Sequence, residues 1–282
     1  MDVSKVVLVT GCSSGIGQAT AIRLAKSGWT VFASARKLAD LGACVAAGCR
    51  PVALDVTDEA SMVAAVAAIE AAHGAIGVLI NNAGYSQSGA VEAVPMDRVR
   101  AQFETNVFGL VRLTQLVLPG MRRQRWGKVV NLSSMGGRLT FPGGGFYHAT
   151  KYAVEAISDA LRFEVRGFGV DVILIEPGLI KSGFSEAAVS QMSMSPGVAE
   201  VYAPFHEAVA ASTKSAYTTG TLAPLAGVPE DCASTVEAAI SARRPKARYV
   251  ISWSGTVLLG IRGWTTDGMW DSFVGGSFPS PG

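Results

Sequence analysis

Tyr147 and Lys151 stand four residues apart, and Ser134 precedes the tyrosine by thirteen. A hydroxyl, a phenol and an ammonium in that order can pass a proton to or from a carbonyl oxygen. Near the start of the chain, Thr10-Gly11-Cys12-Ser13-Ser14-Gly15-Ile16-Gly17 forms a glycine-rich turn able to hold a nucleotide phosphate. Together the two sets imply hydride exchange between a nicotinamide cofactor and an alcohol or ketone. A tyrosine titrating near about 10 is a poor base at neutral pH, and bringing it to about 7 takes roughly 4 kcal/mol. An adjacent ammonium supplies part of this by favouring phenolate, and positions i and i+4 share one helix face. Ser134, after an apolar run ending at Leu132, is placed to hydrogen-bond the substrate oxygen. Asn106 falls inside a long helical pattern, where asparagine is unfavourable. A local distortion whose freed carbonyl binds a water leading to Lys151 would account for it.

The glycine turn has the spacing G-x-x-x-G-x-G. Gly11, Gly15 and Gly17 would let a pyrophosphate approach the N-terminus of the following helix, where unsatisfied N–H groups and a partial positive charge reside. The next strand end reads Val31-Phe32-Ala33-Ser34-Ala35-Arg36-Lys37, with two cations and no acid. An NAD enzyme places a carboxylate there for the ribose hydroxyls. A guanidinium instead matches phosphate oxygens, so Arg36 with Ser13 favours a 2′-phosphate and NADP(H) over NAD(H). Asp55, within Leu54-Asp55-Val56, is placed either to meet the adenine amino group or to cap the following turn. In Asn81-Asn82-Ala83-Gly84 the small residues allow close backbone approach to the cofactor, and an asparagine amide can tie neighbouring strand ends.

These residues need a scaffold, and the hydrophobic pattern predicts one. Strands are expected at 6–9, 30–34, 51–54, 78–80, 128–132, 170–176 and 248–252, with helices at 18–27, 60–72 and 147–166 and a short entry followed by a long helix over 95–124. Gly28 is expected to end the first helix, Thr57 or Asp58 to cap the second, and Gly167 to close the last. Strands alternating with helices of this length make parallel pairs, and runs such as Val-Val-Leu-Val suit strands covered on both faces. The fold class is therefore α/β, a doubly wound, mostly parallel sheet of Rossmann type in a single domain. Ligands should bind beyond the carboxyl ends of its strands, where every motif above falls. Residues 185–229 break the pattern, mixing Met192, Met194, Tyr202, Phe205 and Tyr217 with small residues. They are read as a mobile lid over the substrate. The apolar tail, 253–282, packs on its own body, covers a partner subunit or touches a membrane surface.

Of 282 residues, 49% are hydrophobic and 16% charged, with a net charge of +2. This is ample for one core and gives no surface for a polyanion such as nucleic acid. Cys12, Cys44, Cys49 and Cys232 show neither zinc spacing nor a disulfide framework, which fits a reduced, cytoplasmic compartment without a metal. The first residues carry no signal-peptide pattern, and no apolar run is long enough for a transmembrane span.

Jointly, Thr10-Gly11-x-x-x-Gly15-x-Gly17, Asn81-Asn82-Ala83-Gly84, Asn106, Ser134, Tyr147-x-x-x-Lys151 and Pro177-Gly178 resemble the classical short-chain dehydrogenase/reductase family. The stretches at 10–17, 32–36 and 147–184 look most like its hydroxysteroid and retinol dehydrogenase branch. The resemblance implies a tetrad of Asn106, Ser134, Tyr147 and Lys151, with Tyr147 as acid in reduction and base in oxidation. It further implies cofactor contacts from Ser14, Ile16, Val56, Asn82, Pro177, Gly178 and Ile180. Ser182 stands where the family commonly has a threonine touching the nicotinamide carboxamide. A homodimer or homotetramer packed through the two long helices is implied, with a small hydrophobic carbonyl or alcohol substrate. Two rival readings are a non-catalytic NADP(H)-binding sensor or scaffold, and an epimerase using the same Tyr-x-x-x-Lys unit.

Overall fold

The computed structural model describes residues 3–190, 192, 195, 197–198 and 200–278. Seven short apolar segments pair in parallel: β1 (Val7–Val9), β2 (Val31–Ala35), β3 (Arg50–Ala53), β4 (Val78–Asn81), β5 (Gly127–Leu132), β6 (Val170–Pro177) and β7 (Arg248–Ile251). Their spatial order is β3-β2-β1-β4-β5-β6-β7. Register follows the apolar runs, Leu8 facing both Phe32 and Leu79, and Val130 facing both Ile80 and Ile173. The chain reverses direction across the sheet between β1 and β4. The crevice outside the carboxyl ends of these strands is where ligands bind in open α/β sheets.

On one face α1 (Gly15–Lys26) packs on α9 (Pro229–Ser241), burying Ala21, Leu24, Cys232 and Val236 against strand residues such as Val7, Val9, Ile80 and Val130. On the other face α3 (Glu59–His73) and α5 (Gly109–Gln124) bury Met62, Val66, Ile69, Leu113 and Val117. The long α6 (Gly145–Val165) lies on this side as well. Between β2 and β3 runs a short turn with α2 (Gly42–Ala46), which the sequence reading did not assign. Asp58 caps α3, accepting from the Ala60 N–H at 3.0 Å, and Gly28 turns the chain out of α1 at φ +86°.

The short entry and long helix expected over 95–124 are α4 (Met96–Phe103) and α5, joined by a π-helical turn at Glu104–Phe108. Two other expectations change in the structure. Closure of α6 falls not on Gly167 but two residues later, on Gly169, after a tight turn at Arg166–Phe168. The 185–229 segment is not a bare loop. It holds most of α7 (Phe184–Ser190) and all of α8 (Ala203–Thr218); Met194 lies outside the described residues. The tail folds as α10 (Trp253–Trp264) and α11 (Asp267–Gly275), which pack with Leu139, Leu179 and Phe141 in a separate apolar cluster. Among the described residues, no helix is long and apolar enough to cross a membrane.

Candidate active site

The turn between β1 and α1 is held open by backbone geometry. Gly11 has φ +70°, and a Cβ there would stand 2.9 Å from the Ala83 Cα. A Cβ on Gly17 would fall on the Gly11 carbonyl oxygen and on Asn82 Nδ2. The two glycines therefore keep β1 and β4 laced together while leaving the surface bare. Asn82 Nδ2 donates to the Thr10 and Gly11 carbonyls at 2.8 and 3.1 Å, and the Asn82 and Ala83 N–H groups both donate to Thr10 Oγ1 at 3.0 Å. Its neighbour Asn81 ties β4 to β5, donating to Asn131 Oδ1 at 2.9 Å. The Ser14 side chain does not cap α1, which leaves first-turn N–H groups available to an anion.

Arg36 is exposed just past β2, and it lines the same cleft as Ser13, Ser14, Gly15 and Ile16. Asp55 resolves to a turn cap: Oδ1 accepts from the Thr57 N–H at 2.9 Å and from its hydroxyl at 2.7 Å. Its residue still borders the cleft beside Val56. Pro177 and Gly178 end β6, where a Cβ on Gly178 would crowd the Gly255 N at 2.5 Å. Ile180 is buried and borders the cleft, and Ser182 faces the glycine turn, its Cβ 3.9 Å from where a Gly15 Cβ would lie.

Across from the turn, Tyr147 sits in the first turn of α6, its ring 5.5 Å from that of Phe184. Ser134 Oγ accepts from the Gly136 N–H at 3.0 Å and donates to the Pro177 carbonyl at 3.4 Å, on the same cleft wall as the phenol. The Lys151 ammonium lies 5.8 Å from the Tyr147 ring centre and donates to the Leu132 carbonyl at 2.7 Å. Burial lowers Lys151 to about 8, against a smaller upward pull from the Glu155 carboxylate. The same crowding raises Tyr147 well above the usual phenol range; its bond with Ser134 works the other way, and Tyr217 adds to the rise. The expectation is that the Lys151 ammonium supplies part of the phenol's acidity; among the causes acting on the phenol here, burial is the largest and Lys151 does not appear. The ammonium is anchored on a backbone carbonyl, and desolvation of the ring dominates. At neutral pH the phenol is therefore protonated, the state a proton donor requires.

Asn106 does occupy a distorted turn. Its Oδ1 accepts from the Tyr85 N–H at 3.1 Å, while Nδ2 donates to the Tyr85 carbonyl at 2.9 Å and to Thr150 Oγ1 at 3.1 Å. Thr150 in turn donates to the Tyr147 carbonyl at 2.7 Å, so the π-helical turn is bolted to the helix bearing the phenol. All the sequence-predicted site residues line one cleft except Gly17 and Asn106, which stand just behind its wall. Sequence reasoning missed His148, Phe141 and the inner faces of α10 and α11. His148 Nε2 accepts from the Phe141 N–H at 3.3 Å and Nδ1 meets the Gly136 carbonyl at 3.0 Å, fixing the neutral tautomer and closing the loop over the cleft. An imidazole next to the catalytic-type tyrosine was the available signal.

A glycine cradle at the switch point of a doubly wound sheet, facing a phenol with a serine and a lysine beside it, defines a dinucleotide-fold oxidoreductase. The family model described as short chain dehydrogenase matches residues 5–193, and the chain belongs to that family. A 3-ketodihydrosphingosine reductase from Bacteroides thetaiotaomicron is 41% identical over 182 residues, 64% of this chain and 66% of that one. An NADPH-dependent 3-dehydrocapnine reductase from Ornithobacterium rhinotracheale is 36% identical over 260 residues, 88% of each chain. The crystal structure of a short-chain dehydrogenase from Streptomyces avermitilis superimposes with a TM-score of 0.77 at 33% identity, covering 97% of this chain and 94% of that one.

Proposed function

We propose that this protein is an NADP(H)-dependent oxidoreductase interconverting a hydrophobic ketone and its secondary alcohol. The observation that carries the reading is the placement of the Tyr147 phenol in the same cleft as Ser134, Lys151 and the glycine cradle. Gly11, Ser13, Ser14, Gly15 and Ile16 would hold the pyrophosphate, Arg36 the 2′-phosphate, and Pro177 to Ser182 the nicotinamide end. Bound there, the nicotinamide supplies or accepts the hydride. In reduction Ser134 Oγ orients the substrate oxygen, and Tyr147 Oη gives it a proton as charge develops there. Lys151 stabilises the phenolate that remains until solvent reprotonates it. In oxidation the proton returns by the same route.

The cofactor choice is supported by the two cations and missing acid after β2, and by the name of the NADPH-dependent relative. The substrate class is supported by the apolar cover that α8, α10 and α11 give the cleft, with the 185–229 segment acting as a lid. Phe108 at the start of α5, and Tyr152 and Phe163 on α6, are exposed apolar residues suited to the packing of a homodimer or homotetramer. Loss of NADPH absorbance with a panel of lipophilic ketones tests the activity. Tyr147→Phe should bind NADPH as the wild type does yet lose roughly 100-fold to 10,000-fold in kcat; near-normal turnover would refute the assigned role.

A further inference from the structure

The cleft measures about 2260 Å³, well beyond the roughly 300–1,000 Å³ of a pocket for one drug-sized ligand. Its charge is confined to one half. Arg36, Lys37, Asp40 and Asp55 border the end that suits the adenosine, Arg98 and Glu104 come from α4 and the π-helical turn, and Lys151 sits at the centre. Beyond Tyr147 the lining changes. A row of rings leads outward from the phenol: Tyr147 to His148 at 5.6 Å, His148 to Phe141 at 6.3 Å, Phe141 to Trp270 at 5.6 Å and Trp270 to Phe273 at 5.4 Å. Tyr217 and Leu222 at the end of α8, with Leu258, Ile261 and Val274 from the tail helices, border the same space. Among the described residues no charged side chain lines this stretch. Lys151 stands only at its inner end, 5.8 Å from the Tyr147 ring, and Arg262, behind the wall, stacks on the Trp270 ring and pairs with Asp267. His148, held in its neutral tautomer, adds no charge.

We propose that this stretch is a binding site for the tail of an uncharged aliphatic ketone, running from the reacting carbonyl at Tyr147 to the half-exposed Phe273 between α8 and the C-terminal helices. The proposal rests on the reductase reading above and names its substrate class. An ionised group carried into this space would lose water and meet only hydroxyls such as Ser212, Ser215 and Thr221, with no opposite charge, which costs several kcal/mol. A methylene chain loses nothing polar and gains the burial of each carbon. The C-terminal helices are thus the determinant of chain length, and the site selects against hydroxy acids, amino acids and phosphorylated sugars. Because Phe273 is itself partly in solvent, the gain from lengthening the chain ends once the tail passes it.

The test is kcat/KM with NADPH across a homologous series of straight-chain methyl ketones, with matched compounds ending in a carboxylate. The expected result is a rise of about fourfold per added methylene, the ratio that corresponds to about 0.8 kcal/mol per buried CH₂, followed by a plateau. Short carboxylate-ended ketones should fall at least tenfold below their uncharged counterparts. Ile261→Ala and Phe273→Ala, checked for an unaltered thermal midpoint and NADPH affinity, should flatten the slope. If short ketones turn over but length brings no gain, or if the slope survives both substitutions, the tail site is wrong while the reductase reading stands. If no ketone of any length consumes NADPH, the reductase reading falls and the tail site with it. Preference for a fused-ring ketone over every chain length overturns the aliphatic assignment alone.

Discussion

Replacing Lys151 by methionine should stabilise the protein at neutral pH while abolishing its proposed chemistry. Lys151 is only 7% exposed, and burial takes it from an ordinary 10.5 to about 8. At about 1.4 kcal/mol per pH unit, that displacement amounts to about 3 kcal/mol of instability carried by the charged form. Methionine fills similar space without charge but gives up the 2.7 Å bond to the Leu132 carbonyl, a loss of about 1 kcal/mol. The variant should therefore be more stable than wild type by about 2 kcal/mol at neutral pH. The sign reverses with pH. Below about 8 both folded and unfolded chains hold the proton, and the burial penalty is complete. Between about 8 and 10.5 only the unfolded chain holds it, so wild-type stability climbs. Above 10.5 both are neutral, and the variant should be the weaker by about 1 kcal/mol, having lost the hydrogen bond. Urea unfolding of both proteins without cofactor, at neutral pH and above 10.5, measures the difference; groups away from Lys151 titrate alike in the two chains. A variant less stable than wild type at neutral pH, or a difference that does not move with pH, refutes the reasoning.

Two further outcomes are expected. Arg36→Asp should raise the KM for NADPH roughly tenfold to a hundredfold, the loss of a charge-assisted contact of about 1.5–3 kcal/mol, and should spare NADH; steady-state kinetics with each cofactor checks this, and equal effects on both remove the basis for the preference. Gly17→Ala drives a methyl group into the Gly11 carbonyl and the Asn82 amide. With overpacking at about 1–3 kcal/mol, the thermal midpoint should drop by roughly 2–10 °C and NADPH affinity should fall, whereas an unchanged protein would mean the turn has slack.

What was legible in the sequence was local or periodic. The apolar runs at 78–80 and 170–176 read as covered strands because β4 and β6 are covered on both faces. The glycine turn was legible because it lies between a strand and a helix. Missed elements had weaker signals: α9 is rich in alanine, serine and threonine and faint in period, although Pro229 followed by Glu230 and Asp231 is a helix start that could have been read. Asn106 flagged a distortion without revealing its form, since a π-helical turn depends on what the side chain finds, here Tyr85 and Thr150.

Residue order alone determined the parallel sheet, the cradle, the Tyr147-x-x-x-Lys151 spacing on which the proposed proton transfer rests and the absence of an acid after β2, because each depends on spacing within a few neighbouring residues. Only the folded chain decided the rest. The burial that raises Tyr147 comes from residues brought in from far along the chain, Phe184 and Tyr217 among them, and the anchoring of Lys151 follows from a carbonyl at the end of another strand. The charge-free wall beyond the phenol is likewise assembled from Phe141, α8 and the C-terminal helices. Desolvation and lining are properties of enclosed space, and only packing between distant segments encloses space.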